Sequence, residues 1–132
     1  MSTASRDLAI VAAWHEALNA GQLDELAALM DDEVEFVGPR GSGSGVALVT
    51  DWAIRVCIHL EPSRWFHRDG IVVVEERARW QAEGSGEWGE PQLLATAFLV
   101  QARRVRRLAR FDILAAAMAD AGLDTSNEVY GE

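Results

Sequence analysis

The chain has 132 residues, room for one domain with a substantial core and too few for two ordinary ones. Hydrophobic residues make up 49% and charged residues 25%, a globular balance, and no apolar run approaches the roughly 20 residues that span a bilayer, so no membrane partner is expected. A formal net charge of −9 opposes general nucleic-acid binding. The charge is uneven: residues 1–63 carry ten acids and three arginines, residues 64–110 six acids and nine arginines, and the segment from 111 onward five acids. The opening MSTASRDL lacks an apolar signal core, and the single cysteine, Cys57, can make neither an internal disulfide nor a cysteine-rich metal site. These features predict a cytoplasmic protein with no metal and no cofactor.

From Asp7 to Ala20 apolar residues recur at Leu8, Val11, Ala12, Trp14, Ala17 and Leu18, the period of a helix, with Ser5 as its N-cap and Gly21 as its stop. A second, short helix is predicted over Leu23–Met30. Alternation at Val34 and Phe36 then predicts a strand ended by Gly38-Pro39, and a glycine-rich turn leads into a third helix over Val46–Leu60. On that helix Leu48, Trp52, Val56 and His59 share one stripe, and Pro62 stops it.

Strands are predicted at Arg64–Arg68, Ile71–Glu83, Gln92–Gln101 and Arg104–Phe111. A tight turn at Ala102-Arg103 would set Val100 opposite Val105, Phe98 opposite Arg107, Ala97 opposite Leu108 and Ala95 opposite Arg110. A short helix over 112–121 ends at Gly122, and the last ten residues are expected to be loose. Within Leu93–Val100 both faces are apolar, yet helices in so small a domain are expected to cover one side only. A second copy of the chain is the economical cover for the other, so a homodimer through the sheet is expected.

Three phrases, VEFVGPRGSGSG, LEPSRWFHRDGIVVVEERARW and VRRLARFDILAAAMADAGL, occur in the order helix, helix, strand, helix, strands. Together with the first helix they span most of residues 7–123, and the chain resembles the nuclear transport factor 2-like superfamily of ketosteroid-isomerase-like proteins. The resemblance implies a single α+β domain over 1–132 with an ordered core of about 7–123. Its architecture would be a cystatin-like cone: three N-terminal helices packed on a strongly curved mixed, mostly antiparallel sheet, with a short C-terminal helix. The superfamily includes isomerases, polyketide cyclases, dehydratases, epoxide hydrolases and non-catalytic members, so the fold fixes no activity. Residues depart from the ketosteroid isomerase pattern. Gly38 stands where its general base would be and Trp14 where its tyrosine would be, and no acid occurs from Gln92 to Gln101. Steroid isomerisation by that mechanism is not expected.

Glu76 is the most suggestive single residue, because it shares an otherwise apolar row with Val72, Val74, Ala78 and Trp80. A carboxylate taken out of water there is suited to general acid or base work, and the bland alternative is a buried ion pair with a neighbouring arginine. His15, on the apolar stripe of the first helix, and His67, in a strand row with Trp65, are the other candidate proton-transfer groups. Each histidine is more often a core or rim residue with a satisfied hydrogen bond. Candidate binding residues are Trp14, Trp52, His59, Trp65 and Trp80, rings placed to surround a cavity, together with Arg110 and Asp112, which point the same way at the end of the last strand. For the tryptophans the alternative is ordinary core packing; for Asp112 it is capping of the final helix. The three glycines Gly41, Gly43 and Gly45 match no phosphate-loop spacing. The arginines at 103, 104, 106, 107 and 110 read as cross-strand partners for Glu75, Glu76 and Glu83. Three functions are open: a pocket for a small hydrophobic molecule, an enzyme using general acid/base chemistry of isomerase, polyketide-cyclase or hydratase/hydrolase type in that pocket, and a purely structural dimer with a filled cavity.

Overall fold

The computed structural model describes residues 3–38, 41–81 and 86–129. Helix α1 (Thr3–Ala20) turns Val11, Trp14, His15, Ala17 and Leu18 inward, as its apolar period requires. It starts two residues before the expected cap at Ser5, and it stops at Gly21, whose φ of 70° continues no right-handed turn. Helix α2 (Leu23–Ala28) buries Leu26 and leads into β1 (Met30–Gly38). The glycine-rich segment after it is not a simple turn. Gly41–Ser44 forms β2 and pairs back antiparallel on β1, from Gly38 opposite Gly41 to Glu35 opposite Ser44. The expected stop at Pro39 lies outside the described residues.

Helix α3 spans Val46–Val56, four residues shorter than its apolar stripe predicts. Cys57 takes a left-handed conformation at φ 47° and ends it, and β3 (Ile58–Arg68) begins at once. His59 is therefore a strand residue, not the last member of a helical stripe. The remaining strands are β4 (Ile71–Trp80), β5 (Gln92–Gln101) and β6 (Arg104–Phe111), followed by α4 (Leu114–Ala121). Asp112 does not cap α4: the N-cap position is Ile113, and no side chain bonds the first turn. Nor are the last residues loose throughout. A 3-10 turn at Thr125–Asn127 leads to β7 (Glu128–Val129), which pairs with β3, and Arg64 holds the Glu128 carboxylate with two hydrogen bonds of 2.9 and 2.8 Å.

The strands form one seven-stranded mixed sheet in the order β2-β1-β6-β5-β4-β3-β7, antiparallel except where β1 runs parallel to β6. Register shifts at Pro62/Arg64 and Leu99/Val100 bend it, as bulges do. Helices α1, α2 and α3 pack on one face around the larger core, which includes Val11, Trp14, Trp52, Leu60, Val74 and Phe98. On the opposite face α4 covers a smaller cluster of Phe66, Val73, Ala95, Ala97, Ala117, Met118 and Leu123. Small side chains at 95, 97 and 117 let that helix lie close to β5. The two-sided apolar strand thus finds both covers within one chain, which removes the reason for expecting a second subunit over Ala95 and Ala97. Asn19 adds a polar tie: its amide donates to the Leu60 carbonyl (2.8 Å) and accepts from the Leu60 N–H (2.9 Å), fixing the end of α1 on β3.

The bulge changes the β5–β6 register after its second pair, Val100–Val105. Val100 faces Val105 as expected, but Phe98 then faces Leu108, Ala97 faces Ala109, Thr96 faces Arg110 and Ala95 faces Phe111. The arginine cluster is also paired differently from the expectation. Because β6 lies beside β1, Arg106 bonds Asp31 (3.0 Å) and Arg107 reaches Glu35 (3.4 Å) and Asp120 (3.1 Å), not Glu75 or Glu76. Glu83 lies outside the described residues. No helix among the described residues is long and apolar enough to cross a membrane.

The β5–β6 turn places two ordinary residues, Ala102 (φ 50°) and Arg103 (φ 64°), in the left-handed region. Two-residue hairpins of this type favour Asn-Gly because a Cβ is strained there. The double substitution Ala102→Asn, Arg103→Gly is expected to raise stability by about 1–2 kcal/mol, a gain of several degrees in Tm by calorimetry. An unchanged or lowered Tm would show that the turn carries no such strain.

Candidate functional site

Strand alternation aims Glu76 of β4 at the helix-covered face, where it is 0% exposed. Its register partners are Pro62 on β3 and Leu94 on β5. One carboxylate oxygen accepts from the Thr96 hydroxyl at 2.7 Å, and the other lies 2.5 Å from His15 Nε2, which α1 delivers from above. His15 is 1% exposed, and its other ring nitrogen, Nδ1, lies 2.8 Å from the Val11 carbonyl one helical turn back. A carbonyl only accepts, so Nδ1 carries a hydrogen. The short Nε2–Oε2 contact then needs one further proton, held either by an imidazolium donating to a carboxylate or by a carboxylic acid donating to a neutral ring. In both arrangements the pair holds that proton and no net charge. Rings close around it: Trp14, Trp65 and Phe98 lie with centroids 5.3, 5.8 and 5.6 Å from the imidazole.

Next to this pair, Thr96 sits opposite Arg110 of β6. The Arg110 guanidinium lies 5.2 Å from the centre of the Trp52 ring, a cation–π contact, and its Nε is buried without a hydrogen-bond partner. Burial pulls this guanidinium below its ordinary arginine value, while the Glu76 and Asp112 carboxylates act in the opposite direction. Arg110 lines a cavity of about 590 Å³ whose other walls are Phe36, Leu48, Trp52, Arg55, Val56 and the β1–β2 residues Gly38, Gly41, Ser42 and Gly43. Phe36 and Trp52 meet edge to face there at 5.1 Å. The glycines keep the wall thin: a Cβ on Gly43 would come within 2.7 Å of the Leu48 side chain.

The candidate residues therefore divide. His15 and Glu76 come together as one buried unit, Arg110 stands opposite Thr96 on β6 with β5 between it and Glu76, and Trp52 and Arg110 share the cavity wall. His67 is elsewhere. It bonds Asp7 of α1 at 2.8 Å, a second tie between that helix and β3. Trp14 is core, with its indole N–H unpartnered, and Trp65 and Trp80 are half-buried rings packed against that core. The described cavity is lined by one tryptophan instead of four. His59 points away from it, opposite Arg79 and beside the Trp88 ring, and Asp112 is exposed. Glu76 has no arginine partner in bonding distance among the described residues, and histidine and threonine take that place.

Sequence reasoning missed Thr96, Arg55 and Phe36. Thr96 had a signal, as the lone hydroxyl in the inward row Leu94, Thr96, Phe98, Val100. Arg55 had one as well, since it lies i+7 from Leu48 and i+3 from Trp52 on the same helical stripe. No group of three or more histidine, cysteine, aspartate or glutamate side chains among the described residues is placed to hold a metal ion.

No protein-family model matches the sequence, and no curated protein sequence does either. Solved structures do match in shape. A nuclear transport factor 2-like protein of unknown function from Cytophaga hutchinsonii aligns with a TM-score of 0.68 at 12% identity over 83% of this chain and 92% of its own. A proposed polyketide cyclase from Xanthomonas campestris pv. campestris aligns at 0.73 and 19% identity, over 89% and 98% of the two chains. TerC, co-crystallised with polyporic acid, aligns at 0.71 and 14% identity, over 84% and 94%. The chain has the nuclear transport factor 2-like fold; identities this low carry nothing further.

The proton count between His15 and Glu76 has a direct test in urea unfolding. His15→Ala leaves a buried carboxyl oxygen without its partner, and is expected to lower the unfolding free energy by about 3–5 kcal/mol. In Glu76→Gln the amide oxygen still accepts from Thr96, and the amide nitrogen donates to a neutral Nε2. That variant is expected to lose about 1 kcal/mol or less. Equal losses from both would mean that the contact does not share a single proton.

Proposed function

We propose that the protein binds a small, flat, largely apolar molecule in the cavity between α3, the β1–β2 hairpin and Arg110. The observation that carries this reading is the cavity itself. At about 590 Å³, with Phe36, Leu48, Trp52 and Val56 as apolar walls and a few polar groups at fixed places, it has the size and composition of a ligand site. An open volume of this size opposes a purely structural role with a filled interior. TerC, of the same fold, was co-crystallised with polyporic acid, so this architecture accommodates an organic ligand in at least one other protein.

A second reading, general acid/base chemistry of isomerase, cyclase or hydratase type, is favoured by one specific arrangement: a buried carboxyl–imidazole pair sharing a proton beside Arg110. Glu76 and His15 do not line the described cavity, so catalysis would require a ligand group to reach past Arg110 and Thr96. Binding requires no such step, and we place it first.

N-phenyl-1-naphthylamine, a neutral hydrophobic fluorophore, is expected to bind with one-to-one stoichiometry and a blue-shifted emission. Ser42→Trp puts an indole in the cavity wall and is expected to weaken that binding at least about tenfold while leaving Tm close to wild type. Native mass spectrometry of freshly isolated protein is expected to show a co-purified small molecule in the wild type and none in the variant. Probe binding that ignores Ser42→Trp, with no retained ligand, would remove the cavity as the binding site.

A further inference from the structure

Resting on the binding reading above, we infer that the ligand is an organic anion, a carboxylate or equivalent oxyanion on a flat apolar body, with its charged end on Arg110 and its body against the wall that Phe36, Leu48, Trp52 and Val56 form. Five arginines fall between Arg103 and Arg110, and the sheet disposes of them unequally. Arg106 and Arg107 are turned to the Asp31, Glu35 and Asp120 carboxylates. Arg110 alone is carried inward by the bulge-shifted register and stands on Trp52. Its Nε is buried and unpartnered, and among the described residues the side chain makes neither an ion pair nor a hydrogen bond.

The nearest carboxyl cannot serve as its counter-ion. Both Glu76 oxygens are engaged, one by His15 and one by Thr96. Asp112, two residues on, is exposed to water and acts on Arg110 through space, with no ion pair or hydrogen bond between them among the described residues. The cavity wall adds a second guanidinium, Arg55, from the last turn of α3, and the Ser42 hydroxyl. No acid lines the cavity among its described residues. Two cations, one hydroxyl and no anion on an otherwise apolar wall form a site whose missing component is negative. A guanidinium fork takes a carboxylate with two parallel N–H···O bonds, which would engage the orphaned Nε. The aromatic pair at the cavity wall favours a flat body over a compact inorganic ion, because its rings offer mainly apolar area.

Paired probes of one shape test this by fluorescence titration and calorimetry: 2-naphthoate and 2-naphthamide, which differ in charge and hardly in size. Wild-type protein is expected to bind the carboxylate at least about tenfold more tightly than the amide. Arg110→Gln is expected to bring the two affinities within about threefold of each other, mainly by weakening the carboxylate. Arg110→Lys, which keeps the charge and loses the fork, is expected to retain part of the preference. If the amide binds as tightly as the carboxylate in the wild type, the anion inference fails while the pocket stands. If neither probe binds, the pocket reading fails with it. Should Arg110→Gln not fold, the wild-type comparison of the two probes still decides the anion inference, and Arg110→Lys decides its assignment to Arg110. A preference that survives intact in Arg110→Gln would overturn the assignment to Arg110.

Discussion

One contact joins the helical layer to the sheet at the depth where both are driest: the proton between His15 and Glu76. The two residues lie 61 positions apart, and neither is tolerable there alone. A bare carboxylate at 0% exposure would carry a desolvation penalty of several kcal/mol, and a lone imidazole would leave Nε2 unsatisfied. Together with the Val11 carbonyl and the Thr96 hydroxyl they form a closed set, in which every polar atom meets one of opposite role. The rotation of α1 follows from this. His15 can reach Glu76 only if Val11 and Leu18 face the sheet, and the Asn19–Leu60 and His67–Asp7 bonds then fix the two ends of the same helix.

Much of this was legible in the sequence, and the illegible parts have physical causes. Period-two alternation placed Glu76 in the inward row, and period 3.6 placed His15 on the buried stripe, but no local pattern says that the two stripes meet. The ends of β5 and β6 were read correctly because the apolar runs and the turn bound them. Their register was not, since a bulge at Leu99/Val100 leaves no mark in composition and shifts every later pair by one. The end of α3 was misread for a similar reason. Val56-Cys57-Ile58 is apolar enough to continue either a helix or a strand, and the left-handed turn falls on a cysteine instead of a glycine. The glycine-rich segment read as a turn because glycine is poor in strands. It pairs with β1 all the same, and its bare backbone leaves room at the cavity wall.

The second face of the sheet shows how small side chains substitute for a partner. Ala95 and Ala97 project so little that α4 can settle on them through Ala117 and Met118, and both alanines become buried in the single chain. At the end of the same row, beyond the reach of α4, Leu93 is 59% exposed. The apolar character of LLATAFLV was a sound signal of two covered faces. Within this chain α4, eight residues of mostly alanine, supplies the cover over Ala95 and Ala97.

Electrostatics divides the molecule along the same lines. On the outer rim Arg64, Arg106 and Arg107 each have an acid within reach, and such exposed pairs contribute little to stability. Inside, the fold follows two different rules on either side of β5. The His15–Glu76 pair is neutral as a unit and fully bonded, so it is stable without any visitor. Arg110 is charged, partly stripped of water and stacked on a ring that compensates only part of what burial removes. Nothing in the packing requires a cation at that position, because an aliphatic residue opposite Thr96 would fill the row as Leu108 fills it opposite Phe98. Sequences that fold well are consistent at every level, and local departures of this kind concentrate where a protein meets something other than itself. Arg110 is such a departure, a partly buried cation that the architecture alone does not explain.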